Sequence, residues 1–256
     1  MRNLVRHLAV LLLLISMIVP SSWAADKVAP VEEPSEPAGD RLSELIDTPT
    51  AETVDQYNYL LRFRFYNNGG VYTKPTFGIY PRLNLGFALD TEHLIGSTTH
   101  GIRIDRPSIN LKWRFYDGQD VFPAIAVGYD SLGMYYDHSA GEYAQREKGL
   151  FLVGTKEIFF PGLQFSGGIN TYQFSTGNEI HGFMSTSYAI HESAAIFAEW
   201  DNIRNFDESR INLGIRFYVN PSFSIDGDLR NGRGTVPPSD SRRTDRNVQL
   251  NYLGSF

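Results

Sequence analysis

The chain has 256 residues, with 23 Lys plus Arg against 29 Asp plus Glu, a formal charge of −6 at neutral pH, and no cysteine. The acidic balance offers nothing to a nucleic-acid backbone, and the lack of cysteine excludes both a disulfide framework and a lipid-attachment site. Aromatic residues make up 13%, with 14 Tyr, 17 Phe and 23 Gly, a composition that suits a membrane barrel whose alternate residues face lipid.

The amino terminus carries Arg2 and Arg6, then an apolar run over residues 8–19, then Ser22-Trp23-Ala24. A basic head, a short apolar stretch and a small-x-small site predict a secretory signal peptide over residues 1–24. The run is too short for a spanning helix, and no other stretch approaches the roughly twenty apolar residues that one needs. A helical membrane protein is thereby excluded, whereas a barrel, which crosses with strands, is not. Residues 25–40 are rich in proline and glutamate and nearly free of large apolar side chains, which predicts a disordered periplasmic linker. Residues 41–53 are less polar. They read either as an ordered segment leading into the barrel or as a short tuck into its lumen. The expected organisation is a signal peptide (1–24), a periplasmic Pro/Glu-rich linker with its leading segment (25–53) and a barrel (54–256).

From Tyr57 the chain breaks into short alternating runs separated by turn residues. Tyr57, Tyr59, Leu61, Phe63 and Phe65 share one face of the first run, and Arg62 and Arg64 lie on the other. Asn67-Asn68-Gly69-Gly70 tolerates the positive φ of a hairpin turn. Strands follow at about 71–79 and 83–89, then a longer loop over 90–105. Residues 108–116 alternate most clearly, with Ile109, Leu111, Trp113 and Phe115 on one face and Lys112 and Arg114 on the other. Further strands are expected at 123–129, 149–158, 163–172, 179–190, 194–201, 210–218 and 222–230. The last runs from Arg246 to Phe256. Val248, Leu250 and Tyr252 form its apolar face and Asn247, Gln249 and Asn251 its polar face, with Gly254 standing where a bulkier apolar residue would be usual. Tyr252 and Phe256 form the expected assembly signal, an aromatic carboxyl-terminal strand for the barrel-assembly machinery to read.

The pattern makes about twelve strands, an even number, as a single-chain bacterial barrel requires. With both termini periplasmic, the gaps 67–70, 90–105, 130–148, 175–178, 202–209 and 231–245 fall outside the cell, every long one among them. The gaps 80–82, 117–122, 159–162, 191–193 and 219–221 fall inside, and all are short. This asymmetry is independent of the alternation that marks the strands, and it is the signature of an outer-membrane barrel. The fold expected is therefore all-β: a transmembrane antiparallel up-and-down β-barrel in the bacterial outer membrane, with short periplasmic turns and longer extracellular loops.

Arg62, Arg64, Lys112, Arg114 and Arg216 fall on inward faces, as do Glu199, Asp226 and Asp228. A charge-lined lumen suits passage of an anionic chain such as an acidic polysaccharide. The simpler reading is that luminal charges pair with one another in a narrow, filled barrel. Of the six His, His7 leaves with the signal peptide, and His93, His100 and His138 fall in outer loops. His181 and Ser185 share one strand face but lie two pleats apart, and the side chains of His191-Glu192-Ser193 point apart in a tight turn. Neither set assembles a nucleophile, a base and an orienting group. No catalytic residue, metal site or cofactor is expected. Tyr135, Tyr136 and Tyr143 suit either stacking on sugar rings or loop packing within the interfacial aromatic girdle.

Leu45-Ile46-Asp47-Thr48-Pro49-Thr50-Ala51 resembles the L-I-x-T-P-T-A signature of the YjbH-type outer-membrane proteins, which accompany exopolysaccharide production or secretion. Ile109-Asn110-Leu111-Lys112, followed by the run Pro123-Ala124-Ile125-Ala126-Val127-Gly128-Tyr129-Asp130, is similar to the family's F-D-L-K strand and its P-x-I-A-V-G-x-x-D block. Phe165 to Asn170 resembles its later glycine-rich strand. The resemblance covers roughly residues 45–170. Family members are usually far longer, and after Asp130 the next family motif is replaced by S-L-G-M-Y-Y-D. The resemblance implies an outer-membrane barrel in a surface-polysaccharide setting. The expectation is a non-enzymatic barrel that assists export or surface handling of an exopolysaccharide through a narrow channel with a basic lumen. Its expected partners are outer-membrane lipid, the assembly machinery and an acidic polysaccharide, with no nucleic acid. The alternatives are a barrel hydrolase acting on lipid or envelope material and a purely structural barrel.

Overall fold

The computed structural model describes residues 43–96, 101–137, 142–145, 147–172, 179–204, 209–231 and 244–256. The expected signal peptide and the linker up to residue 42 lie outside these, as do His100, His138 and the turn at 175–178. No helix among the described residues is long and apolar enough to cross a membrane.

The strands are β1 (Asn58–Tyr66), β2 (Gly70–Tyr80), β3 (Leu83–Glu92), β4 (Arg103–Ile104), β5 (Ser108–Tyr116), β6 (Ala124–Asp130), β7 (Met134–Asp137) and β8 (Glu142–Gln145). They continue as β9 (Gly149–Glu157), β10 (Leu163–Thr171), β11 (His181–Ile190), β12 (Ala194–Asp201), β13 (Arg210–Asn220), β14 (Phe223–Asn231) and β15 (Thr244–Ser255). Twelve of them form one closed antiparallel ring, in the order β1-β2-β3-β5-β6-β9-β10-β11-β12-β13-β14-β15. The seam is the β1–β15 ladder, which runs from Asn58 opposite Ser255 to Phe65 opposite Val248. Closure leaves no sheet edge unpaired, the condition for strands to sit in hydrocarbon.

Two paired features lie where the sequence pattern marks only loop. β4 extends β3 through Thr91 opposite Ile104 and Glu92 opposite Arg103. Asp90, Thr91 and Glu92 break the apolar alternation that marked this strand at 83–89, yet backbone pairing continues through them. β7 and β8 form a separate hairpin within the loop at 130–148, too short to carry a detectable period.

Alternation sets the two surfaces. Ile109, Leu111, Trp113 and Phe115 on β5 point outward and are exposed, while Ser108 and Lys112 between them are buried. The short-turn rim carries exposed Tyr80, Phe122, Phe159, Phe160 and Phe256, the placement of an interfacial aromatic girdle. Phe256 packs against Tyr59 at 5.2 Å and Phe77 at 6.1 Å between ring centroids, and its amide donates to the Tyr57 carbonyl. Tyr252 points outward beside Tyr59, 6.2 Å away.

Glycines facing aromatic residues recur around the ring. Inward Phe151, Phe183 and Phe197 lie directly across the ladder from Gly128, Gly168 and Gly214. A Cβ at any of these glycines would collide with the facing ring. Gly254 is covered in the same way by Tyr59, its partner on β1, which accounts for a small residue on the apolar face of the last strand. A large ring folded over a bare backbone fills the lumen and lets the sheet curve tightly.

Gly168→Ala would push a methyl into the Leu152 carbonyl and the Phe183 ring, whereas nothing lies within 4 Å of the Cβ that Gly227→Ala would add. In urea titrations followed by heat-modifiable gel mobility, the first should cost about 1–3 kcal/mol and the second less than about 0.5 kcal/mol. Equal effects would contradict the packing described.

Candidate functional site

From Ser43 the chain lies inside the barrel. Residues 43–54 rise from the short-turn end, where Val54 exchanges hydrogen bonds with the Asn84 side chain (N to Oδ1 2.8 Å, Nδ2 to O 2.7 Å). They climb past Thr155, whose hydroxyl accepts from the Ala51 amide at 2.8 Å. At the tip the chain reverses: the Leu45 amide donates to the Thr48 carbonyl, and Glu44 faces Pro49 across an isolated bridge. Of the two readings of this segment, a luminal tuck is the arrangement present.

The tip is pinned through its own backbone. Glu199, on the inward face of β12, accepts from the amides of Ile46 (2.7 Å), Asp47 (3.0 Å) and Thr48 (3.0 Å) and from the Thr48 hydroxyl (2.8 Å). The Asn212 side chain donates to the same carboxylate at 2.9 Å. Both oxygens of this carboxyl group are thus occupied by donors.

The plug's side chains meet the cations of the wall. Glu44 is bound by Arg62 on β1 and by Lys74 on β2, the latter at 2.9–3.0 Å. Asp47 is bound by Arg64 on β1 at 3.0 Å, by Arg230 on β14 at 2.6 Å, and by the Asn212 amide at 3.2 Å. Glu52 pairs with Arg114 at 2.9 Å, and Lys112 donates to the carbonyls of Ser43 (2.5 Å) and Thr50 (3.3 Å). Apolar plug residues match the apolar part of the lumen. Leu45 and Ile46 pack on Phe197, and Ala51, fully buried, packs on Ala124, Ala126, Phe151, Val153 and Phe183. Each element of L-I-x-T-P-T-A therefore has a physical task in plugging the barrel.

Of the eight inward charged residues named above, seven are buried and Arg114 is half-buried, and they divide by partner. Arg62, Arg64, Lys112, Arg114 and Glu199 bind the plug. Arg216 pairs in a bidentate manner with wall residue Asp226 at 2.6 and 2.7 Å, and Asp228 accepts from Asn247 at 2.8 Å. Sequence reasoning missed Lys74 and Arg230. Lys74 precedes Pro75 in a run with weak apolar alternation, and Arg230 lies at the loop end of its strand. Continuing the parity of Tyr72 and of Asp228 would have placed both inward.

The long-loop end is also covered. Leu132 and Met134 fold inward onto Tyr66, Tyr72 and Ala88, and Met134 receives a hydrogen bond from Arg64. Between this cover and the plug tip lies a cavity of about 50 Å³, lined by Glu44, Asp47, Arg64, Asp130, Lys148 and Arg210 among others. A second, beside Lys112, is about 20 Å³. At roughly 10–15 Å³ per water centre, these spaces hold a few waters and no sugar ring.

His181 stacks on Tyr172 at 4.9 Å and shares its Nδ1 with Asn202 at 2.9 Å. His191 is exposed in the turn His191–Ser193. In the outer loops Tyr136 and Tyr143 meet edge to face at 5.0 Å, and Tyr143 donates to the Arg106 carbonyl. Tyr143 is pushed up to about 12 by burial and by the charge of Asp105.

Burial works against the charge on the plug carboxyls, yet Lys74 and Arg62 hold Glu44 down at about 2. Burial likewise opposes the charge on Asp47, and Arg230 and Arg64 hold it well below the usual carboxylate range. A carboxyl depressed in the docked state stabilises docking in full above its free value and loses that contribution as pH falls toward the docked value. Below about pH 5, amide exchange at Ile46, Asp47, Thr48 and Ala51, corrected for intrinsic rate, should show protection that falls toward about pH 2. Protection that strengthens on acidification would contradict these pairings.

No family model and no curated protein matches the chain. Among solved structures it is similar in fold to porins of Rhodopseudomonas blastica, at 12% identity over 73% of this chain and 56% of the porin, with a TM-score of 0.37. The chain thus spans little more than half the porin's length. It is also similar to the KdgM porin in complex with disordered oligogalacturonate, at 10% identity over 78% of this chain and 99% of that one, with a TM-score of 0.49.

Proposed function

We propose that this chain is a bacterial outer-membrane barrel that assists export or surface handling of a polysaccharide, and that its lumen is a narrow channel closed at rest by residues 43–54. One observation carries the reading. Among the described residues, Arg62, Arg64 and Lys112 hydrogen-bond no carboxylate of the barrel wall, and the acids that neutralise Arg62 and Arg64 sit on a separate segment. A barrel that needed only internal stability would be better served by wall pairs such as Arg216–Asp226, since buried charges without a fixed partner are costly. A cationic wall whose counter-charge can leave is suited to a polyanion. The outward apolar belt, the aromatic rim and the signal-peptide pattern support the outer membrane as its site. The likeness of residues 45–51 to the YjbH-type signature supports the polysaccharide setting. The reading is non-enzymatic: the barrel conducts or guides a chain and breaks no bond.

The test is planar-bilayer recording on the full chain. The native protein should be silent or open only rarely, and Glu44→Gln combined with Asp47→Asn should raise open time at least tenfold with selectivity for anions. A silent double variant that still inserts and shows heat-modifiable mobility would sink the channel reading.

A further inference from the structure

The plug's carboxylates occupy well-formed sites. Glu44 sits between Arg62 and Lys74, and Asp47 sits between Arg64 and Arg230 with the Asn212 amide beside it. The cations lie on β1, β2 and β14, fixed in the wall and nearly fully buried. Taking the plug out removes Glu44 and Asp47 from these cations, with Lys74 keeping its wall partner Asp130 of β6 at 3.0 Å, and also strips Glu199 of the three amides and the hydroxyl that surround it. Whatever replaces the plug must therefore satisfy two opposite demands. It must bring anionic acceptors to the two cation pairs, and it must bring O–H or N–H donors to Glu199.

We propose that Glu44 and Asp47 occupy two carboxylate subsites of the wall, and that the ligand of these subsites is a linear acidic glycan. Its uronate carboxylates take the places of Glu44 and Asp47, and its ring hydroxyls donate to Glu199. The proposal rests on the channel reading above and names its cargo by chemistry. A uronate chain offers both functions on each residue. A polyphosphate or a nucleic-acid backbone offers acceptors to the cations and puts more negative charge beside Glu199. A neutral glycan offers hydroxyls and brings no negative charge to replace that of Glu44 and Asp47. The tether sets a threshold as well. The plug joins β1 through only a few residues, with the Asn58 amide bonded to the Asp55 carbonyl at 3.1 Å. Its effective concentration at the sites is therefore at least in the millimolar range. A single uronate cannot compete with that, whereas a chain filling both subsites can.

The experiment uses the full chain in detergent, with calorimetric binding of oligogalacturonate, an uncharged oligosaccharide of equal length and inorganic polyphosphate of matched charge. Glu44→Gln with Asp47→Asn should bind oligogalacturonate at least tenfold more tightly than the native chain. Adding Arg64→Gln should remove at least tenfold of that affinity, and galacturonic acid monomer should not bind. Equal binding of polyphosphate, or of the uncharged oligosaccharide, would overturn the proposal. So would a plug-neutralised variant that gains no affinity. If that variant fails to fold, amide exchange at residues 45–51 of the native chain decides: oligogalacturonate should speed it, and an unchanged rate overturns the proposal. Binding without conductance would instead remove the channel reading and leave the subsites standing, while conductance without uronate binding would do the reverse.

Discussion

The paired contact of Asp47 and Glu44 with the arginines and lysine of the wall is the interaction on which the rest of this barrel depends. Arg62, Arg64, Lys74 and Arg230 are buried, and the cavity between the plug tip and the long-loop cover has a volume of about 50 Å³. Removing one member of a buried ion pair typically costs about 3–5 kcal/mol, because the remaining charge is left without compensation. The wall therefore has two acceptable states. In one, the plug neutralises it; in the other, water and a new anion fill the space the plug leaves. Glu199 biases the first state from β12. It accepts from three main-chain amides of the tip as well as from the Thr48 hydroxyl, so it fixes where the tip sits and leaves Asp47 aimed at Arg64 and Arg230.

The ring supplies the rigidity these contacts need. Closure through β1 and β15 fixes the height of Arg62 and Arg64 relative to Gln249, which accepts from Arg64 at 3.2 Å and donates to Asp226 at 2.9 Å. The phenylalanines that lie over Gly128, Gly168 and Gly214 give one side of the lumen an apolar floor. On that floor a segment with Leu45, Ile46 and Ala51 on one side and Glu44 and Asp47 on the other can seat with both faces satisfied. Ala51 is fully buried there, in one cluster with Phe151 and Phe183.

Much of the ring was legible in the sequence because alternation has a fixed period and the turns are chemically marked. Residues 108–116 and 194–201 were read with the bounds that the structure gives them. Polar strand ends at Asp90–Glu92 and Thr244–Asp245 were not, since pairing there runs beyond the apolar belt. The plug was legible only as a choice between two arrangements. It has no period, its turn is irregular, and its partners are remote in sequence: Ile46 and Glu199 are 153 residues apart. Local propensity carries no information about such a contact. The inward charges could be placed by parity, but their partners could not, because nothing in a strand pattern tells that Arg64 meets Asp47 rather than Asp228. Lys74 and Arg230, which complete the two anion sites, lay where parity was weakest.

The most direct test of a filled lumen is a cross-link between plug and wall. The chain has no cysteine, so Ala51→Cys with Thr155→Cys places a unique thiol pair where the Ala51 amide already donates to the Thr155 hydroxyl at 2.8 Å. In folded full-length protein under mild oxidation, mass spectrometry should find the disulfide in nearly every molecule. Two free thiols, both readily alkylated by a small maleimide in the folded barrel, would contradict the account.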